Sequence, residues 1–500
     1  MNVRHEHGRA AQSLVPAALV SLALGLGGCT VGPDYRTPQI ETGEGWSEPV
    51  SGSASEGLGS PLEGQTEVDL DGWWRSFGDP TLDRLVEQAV EQSLDLREAA
   101  ARVAEARALR DRAAGGRYPT IGAQASLTQR AQSENGALPI DRIPDLDREQ
   151  TLYDVGFDAG WEIDLFGRTR RSVEAAQARF QEAIEQGRQV RLTVAAEVAR
   201  TYLDLRGAQR RVAARRTAVD AVRGTAELVR LQARAGEVPE ARRVQVEADL
   251  AGLEAQLPEL EGEIRASALS LGVLLGSLPE TELELVDTEP STLTLAPIPV
   301  GERAALLRRR PDVRAAEREL AGATAQIGVA TADLFPRLAI GASGGFQAMD
   351  PSELTRSESG RWSLVPFISW RIFDGGRVRA EIRATEARTE AAAVRYEKAV
   401  LGALTEAERA LTRYHRGLEA LERQEVAVDA ARRNRELAKL RYEAGDSTLL
   451  ELLDATRGLA TAELVRADLQ TRAAIQLVAL YKALGGGWSE EPAESAPGAT

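Results

Sequence analysis

The chain has 500 residues, 43% hydrophobic and only 5% aromatic, with a formal net charge of −15. An acidic balance of that size argues against a nucleic-acid binder, which needs a basic face to displace counterions. One cysteine, three histidines and three lysines, none followed by Ser or Thr, exclude a disulfide framework, a thiolate or multi-histidine metal centre, and a P-loop.

Arg4 and Arg9 precede a largely apolar stretch, Leu14 to Leu26, and then Gly27-Gly28-Cys29. A charged start, a short apolar core and small residues before a cut describe a secretory signal. The stretch is too short to cross a bilayer, which takes about 20 helical residues. Its ending resembles a bacterial lipobox, which implies that residues 1–28 are a lipoprotein signal peptide and that Cys29 carries a covalent lipid. No other cofactor and no metal is expected. Thr30, rather than an aspartate, follows the cysteine, which favours the outer membrane. Loss of Arg4, Arg9 and Glu6 takes the mature charge to −16.

In chain order, residues 29–80 read as an N-terminal anchor and equatorial segment. Repeat 1, 81–280, holds a helix 81–115, a strand pair 118–130/151–165, a long helix 168–234 and a returning helix 240–276. A linker, 281–300, leads to repeat 2, 301–485, with a helix 301–333, strands 335–348/361–373, a long helix 376–443 and a helix 448–484. A tail, 486–500, follows. In the second strand of repeat 1, Tyr153, Val155, Phe157, Ala159, Trp161, Ile163 and Leu165 alternate with Asp, Gly and Glu, a period of two. The proline-free stretch from Arg168 to Arg234 has apolar and small residues from Val173 to Val194 at alternating threes and fours, a heptad-like seam.

The halves are copies. Trp161 to Arg168 lines up with Trp370 to Arg377 at an offset of 209, which also carries Gly236-Glu237 onto Gly445-Asp446 and Leu275-Gly276 onto Leu484-Gly485. Upstream the offset is 217: Asp95-Leu-Arg97 matches Asp312-Val-Arg314, and Tyr118-Pro119 matches Phe335-Pro336. Four strands with one apolar face cannot close a barrel, because the smallest membrane barrels have about eight. An open edge in lipid is costly. Strands that cross a bilayer therefore require eight per dimer or twelve per trimer, with Trp161, Trp362 and Trp370 at the interfaces.

Cys29-Thr-Val-Gly-Pro-Asp-Tyr35, Trp73-Trp74 through Phe77-Gly-Asp-Pro80, Arg310-Pro-Asp-Val-Arg314 and Leu480 to Trp488 resemble the TolC-like outer-membrane efflux proteins, in the lipoprotein branch typified by OprM. The resemblance covers essentially the whole mature chain. It implies an α+β membrane protein: a homotrimeric 12-stranded β-barrel, four strands per chain, continuous with a periplasmic helical barrel. It also implies an exit duct working with a periplasmic adaptor and an inner-membrane resistance-nodulation-division (RND) pump. By the same resemblance, Leu450, Asp454 and Arg457 match the constriction of the lipoprotein branch. Glu451 and Asp454 match the two aspartates of TolC, Tyr442 matches a gate tyrosine, and Ser447 replaces a gate arginine. The helix tips Gly236, Glu237, Gly445 and Asp446 are the expected adaptor contacts. Acidic faces would make the lumen cation-preferring.

Three other readings compete. A periplasmic coiled-coil spacer explains the anchor and helices but not the strand pairs. A duct for type I protein secretion would use the same architecture. Gly341-Ala-Ser343-Gly-Gly345 matches the G-x-S-x-G hydrolase pattern, but that needs a strand-turn-helix and a triad histidine; the serine falls within an expected strand, so no enzyme is expected.

Overall fold

Alternating side chains produce a sheet with two unlike faces. In the computed structural model, which describes residues 30–40, 43, 45–47, 70–133, 147–289, 293–295 and 302–488, four strands form one antiparallel sheet. They are β1 (Thr120–Ala131), β2 (Glu149–Ile163), β3 (Arg337–Ala348) and β4 (Gly360–Ser369), paired in chain order. Cys29, residues 1–28 and the end of the tail lie outside the described residues.

Strand limits differ from expectation for local reasons. Pro119 and Pro336 have no N–H for the ladder, and β1 and β3 begin at the following residues, Thr120 and Arg337. β2 stops at Ile163 because Asp164 turns to accept from the N–H groups of Thr169 (3.1 Å) and Arg170 (2.9 Å). Asp374 does the same in the second copy, accepting from Gly376 and Val378 at 2.8 Å each, and β4 ends earlier, at Ser369.

The helices are α1 (Pro80–Gln92), α2 (Leu94–Gly115), α3 (Arg168–Arg234), α4 (Glu240–Glu254), α5 (Leu257–Leu274), α6 (Arg303–Arg309), α7 (Pro311–Ala332), α8 (Arg377–Glu443) and α9 (Leu449–Ala483). Three helices expected to be continuous are broken. The 81–115 helix kinks at Ser93, which is extended (ψ 134°) between α1 and α2. The 301–333 helix breaks at Arg310 (ψ 118°), since Pro311 drives the residue before it out of the helical region. The 240–276 helix breaks at Ala255-Gln256, with Pro258 in the first turn of α5, where its missing N–H costs nothing. At the offset of 209, Pro258 corresponds to Ala467, and α9 runs unbroken through it. Of the expected seam on α3, Phe180 and Val194 are buried and the other five positions are half-buried; Ala175 and Ala178 turn inward beside them.

The chain divides into two compact units. One comprises residues up to Pro38, Ala104–Glu182 and Glu317–Arg395, and contains the sheet. There the 3%-exposed Arg171 clamps the N-terminal segment: its guanidinium donates to the carbonyls of Val31 (3.2 Å) and Gly32 (3.3 Å) and to Asp34 (2.7 Å). Val31 N–H donates to the Phe166 carbonyl at 3.1 Å. The other unit comprises Gln39–Val103, Ala183–Ala316 and the chain from Tyr396. Its core has Trp73 stacked on Tyr481 (5.3 Å between ring centres) and packs Leu82, Leu85, Tyr202, Leu271, Leu411 and Leu477. No helix among the described residues is long and apolar enough to cross a membrane.

Candidate channel wall and aperture

One face of the sheet is apolar and uncovered: Ile121, Phe157, Trp362, Leu364 and Ile368 are each more than 60% exposed. Trp362 lies at the hairpin end of β4 and Trp370 beyond its other end, eight residues or about 27 Å along the strand. That is the scale of the roughly 25 Å apolar band of membrane barrels. Trp161 and Trp370 donate from Nε1 to the carbonyls of Arg117 (3.0 Å) and Leu334 (2.9 Å), so each ring's polar end is satisfied while its body faces out.

The opposite face is mostly polar, with Val365 and Phe367 of β4 as its exposed apolar exceptions. Arg361 on β4 reaches across β3 to Asp154 on β2, with Nε–Oδ2 at 2.8 Å and Nη2–Oδ1 at 2.5 Å, and Gln347 donates to Oδ2 at 2.9 Å. The arginine's register partner on β3 is Gly345, which leaves its path clear. Asp154 is thereby neutralised, whereas Asp158 on the same face stays exposed. Ser343 belongs to this wall: its Oγ is 2.8 Å from that of Ser363 and accepts from Arg361 Nη1 at 3.4 Å. The G-x-S-x-G pattern is a glycine-rich strand.

The aperture candidates lie where α3 turns into α4 and α8 into α9. Both long helices end in the same motif. Glu237 N–H bonds the Gln232 carbonyl (2.9 Å) and Gly236 N–H that of Ala233 (3.1 Å); Asp446 bonds Arg441 (2.8 Å) and Gly445 bonds Tyr442 (3.0 Å). These are Schellman caps, which need a left-handed residue, and Gly236 (φ +76°) and Gly445 (φ +79°) supply it. Thr448 then caps α9, its side chain accepting from Glu451 N–H at 3.4 Å, whereas Pro239 at the start of α4 provides no such bond.

Leu450, Asp454 and Arg457 share one face of α9 by their spacing. Leu450 is exposed, while Leu453 beside it is buried with Val222, Val229 and Val246. Arg457 Nη1 is 3.5 Å from Asp454 Oδ1, a loose i,i+3 pair, and Nη2 pairs with Asp249 on α4. Glu451 is 3.5 Å from Arg441 of α8, whose guanidinium also donates to the Asp446 carbonyl at 3.3 Å. Tyr442 does not join these acids; its hydroxyl accepts from Gln232 Nε2 at 3.5 Å. Sequence reasoning missed Asp249 and Arg441. Asp249 lies 208 positions from its partner and had no signal; Arg441, next to Tyr442 and six residues before Ser447, shows that this turn does contain an arginine.

Below the turn, α3, α4 and α9 enclose a cleft of about 370 Å³, lined by Arg215, Asp249, Gln256 and Arg457 among others. Burial pushes the Arg215 guanidinium below its usual range.

A sheet with one apolar and one polar face, repeated within a chain of long helices, defines an outer-membrane channel protein. The chain belongs to the outer membrane efflux protein family, described as "Outer membrane efflux protein", which matches residues 85–277 and again 304–486. It is 33% identical over 466 residues to the toluene efflux pump outer membrane protein TtgI of Pseudomonas putida, covering 93% of this chain and 96% of that one. It is 32% identical over 480 residues to outer membrane protein OprJ of Pseudomonas aeruginosa, covering 94% and 95%. Among solved structures, the outer-membrane channel OprN is 36% identical with a TM-score of 0.81, covering 92% of this chain and all of that one. The open state of the Neisseria gonorrhoeae MtrE channel is 27% identical with a TM-score of 0.79, covering 92% and 98%. The protein is an outer-membrane efflux channel and the outer-membrane component of an efflux pump. It is a conduit and not an enzyme.

Proposed function

We propose that this channel is a homotrimeric exit duct whose tips, at the turns into α4 and α9, form its periplasmic aperture. It would take substrate from an inner-membrane RND pump through a periplasmic adaptor docked on Gly236, Glu237, Gly445 and Asp446. The observation that carries the oligomer is the open sheet: four strands, an exposed apolar face and two free edges, which lipid does not tolerate. Three copies supply the twelve strands of a closed wall. A lipid on Cys29 is supported by its neighbour: Thr30 packs against Gly167, four residues past the end of β2. A spacer would gain nothing from the sheet's apolar face.

In this reading Leu450, Glu451 and Asp454 of three copies narrow the aperture, and Arg457 positions Asp454 while tying α9 to α4 through Asp249. Dilation then requires α9 to shift against α4. Conductance of the purified channel in planar bilayers tests it. Asp454→Ala with Arg457→Ala should raise the closed-state conductance; an unchanged value removes these residues from the gate.

A further inference from the structure

Between residues 211 and 223, α3 carries four arginines, and three of them reach an acid on a returning helix. Arg211 meets Glu263 of α5 at 2.7 Å, Arg216 meets Glu261 of α5 at 2.7 Å, and Arg223 meets Glu254 of α4 at 2.8 Å. Arg215 is the fourth. It has no hydrogen bond or ion pair among the described residues, and its Nε is buried without a partner. Burial alone moves its guanidinium from the usual range, with no carboxylate near enough to oppose it. In a chain of net charge −15, a partly buried arginine without an acid calls for an explanation.

The second copy shows what this position does when the helices meet across it. At the offset of 209, Arg215 corresponds to Gln424, whose Nε2 donates to the Ala462 carbonyl of α9 at 2.8 Å. The first-copy equivalent of Ala462 is Leu253 of α4, and Arg215 makes no such bond to it. Instead Arg215 and Leu253 line the cleft of about 370 Å³ among α3, α4 and α9. Gly252 borders the same cleft, and a Cβ there would meet nothing within 4 Å. Alanine is the better helix former, so neither packing nor propensity accounts for the glycine. The space is open where the second copy is bridged.

The walls specify the occupant. Ala218, Val222, Leu253 and Ala460 make much of the lining apolar, and the other charged residues there, Asp249 and Arg457, pair with each other. Arg215 supplies the uncompensated positive charge. We infer that this cleft binds a small carboxylate with a compact apolar body, its carboxylate on Arg215, and that the bound ligand holds α9 against α4. A carboxylate matches the planar donors of a guanidinium, and apolar walls with one placed charge are the usual form of a small-molecule site. The hold on α9 rests on the aperture proposed above, in which α9 shifts against α4. The cleft touches both helices, so a ligand that fits their closed arrangement shifts the population toward it.

Fluorine NMR on the purified channel in detergent tests the site, with p-fluorobenzoate as probe and neutral p-fluorobenzamide as its control. The benzoate should bind about tenfold or more tightly than the amide, the value of a charge-assisted hydrogen bond. Arg215→Gln installs the second copy's residue and should weaken the benzoate to the level of the amide. Gly252→Leu keeps the arginine, fills the open space and should abolish binding of both probes. Equal binding of the two probes, or benzoate binding unchanged in both variants, overturns the site.

Planar bilayers test the hold on α9. Saturating p-fluorobenzoate should lower the closed-state conductance of the unsubstituted channel and leave that of the Arg215→Gln channel unchanged. The aperture itself is tested without the probe, by Asp454→Ala with Arg457→Ala as above, so its failure is seen separately. Benzoate binding that Arg215→Gln removes, with no change in conductance of the unsubstituted channel, overturns the hold on α9 and leaves the site standing.

Discussion

Asp249 and Arg457 lie on helices from different halves of the chain, yet their charges meet at the base of the tip turns. Both are partly exposed, so the pair contributes no more than about 1 kcal/mol to stability; its effect would be on position. Asp249→Ala is expected to leave the melting temperature nearly unchanged while raising closed-state conductance in planar bilayers. If Arg457→Ala opens the channel and Asp249→Ala does not, the constraint runs through Asp454 alone. The buried network at the start of α1 is of the opposite kind. Asp79, 1% exposed, accepts from Thr81 N–H (2.9 Å) and from Tyr202 Oη–H (2.6 Å), and Tyr202 Oη accepts from Arg206 Nε (2.8 Å). Asp79→Ala removes the cap of α1 and takes away the acceptor of the buried Tyr202 hydroxyl, while Arg206 keeps its bonds to Gln209 and Thr288; it is expected to cost about 1–3 kcal/mol in thermal or denaturant unfolding. Burial, and then the hydrogen bond to Asp79, pushes the Tyr202 hydroxyl up to about 12. The folded state thus holds a proton that the unfolded chain releases near pH 10. Stability is present in full below pH 10 and is lost as pH rises from 10 to 12, which melting followed by circular dichroism over that range would reveal.

At the scale of elements, the two copies end their long helices alike and start the returning helices differently. Both long helices stop at a left-handed glycine with open space around it, so alanine there carries only the backbone penalty, about 1–2 kcal/mol. Gly236→Ala and Gly445→Ala should each speed amide exchange in the last turn of α3 and α8, and asparagine should do so less. Thr448→Ala should fray α9 by about 1 kcal/mol, while Pro239→Ala should not fray α4, which has no side-chain cap to lose. The long helices and the strand faces were legible because period and proline content act along the chain. The kinks were not equally legible. Pro311 and Pro258 mark two of them, but Ser93 kinks the 81–115 helix with no proline present, its N–H still bonded to Ala89 and its carbonyl to Arg97 N–H. Only the packing around buried Ser93 distinguishes it from other serines in helices.

At the scale of the whole molecule, the exposed apolar face and open edges predict a chain that fractionates with the outer membrane. On gels an unboiled sample should migrate as an oligomer that boiling converts to monomer. A chain found only in the soluble periplasm would contradict this. The acidic surplus did not concentrate into a uniform lumen wall: Arg361 neutralises Asp154, and Asp158 is the exposed acid of that stretch.

The sequence by itself determined what depends on local order. The duplication, the alternation in the strands, the glycine-terminated long helices and the family's motifs are all written in neighbouring residues, as is the stretch Leu450 to Arg457 proposed as the aperture. Tertiary structure decided what depends on residues far apart in the chain. It brought Asp249 to Arg457, laid Arg361 over Gly345 onto Asp154, and paired β2 with β3 in one register. The physical reason is that spacing encodes which face a side chain takes, while the partner it meets across a helix or strand is chosen by packing.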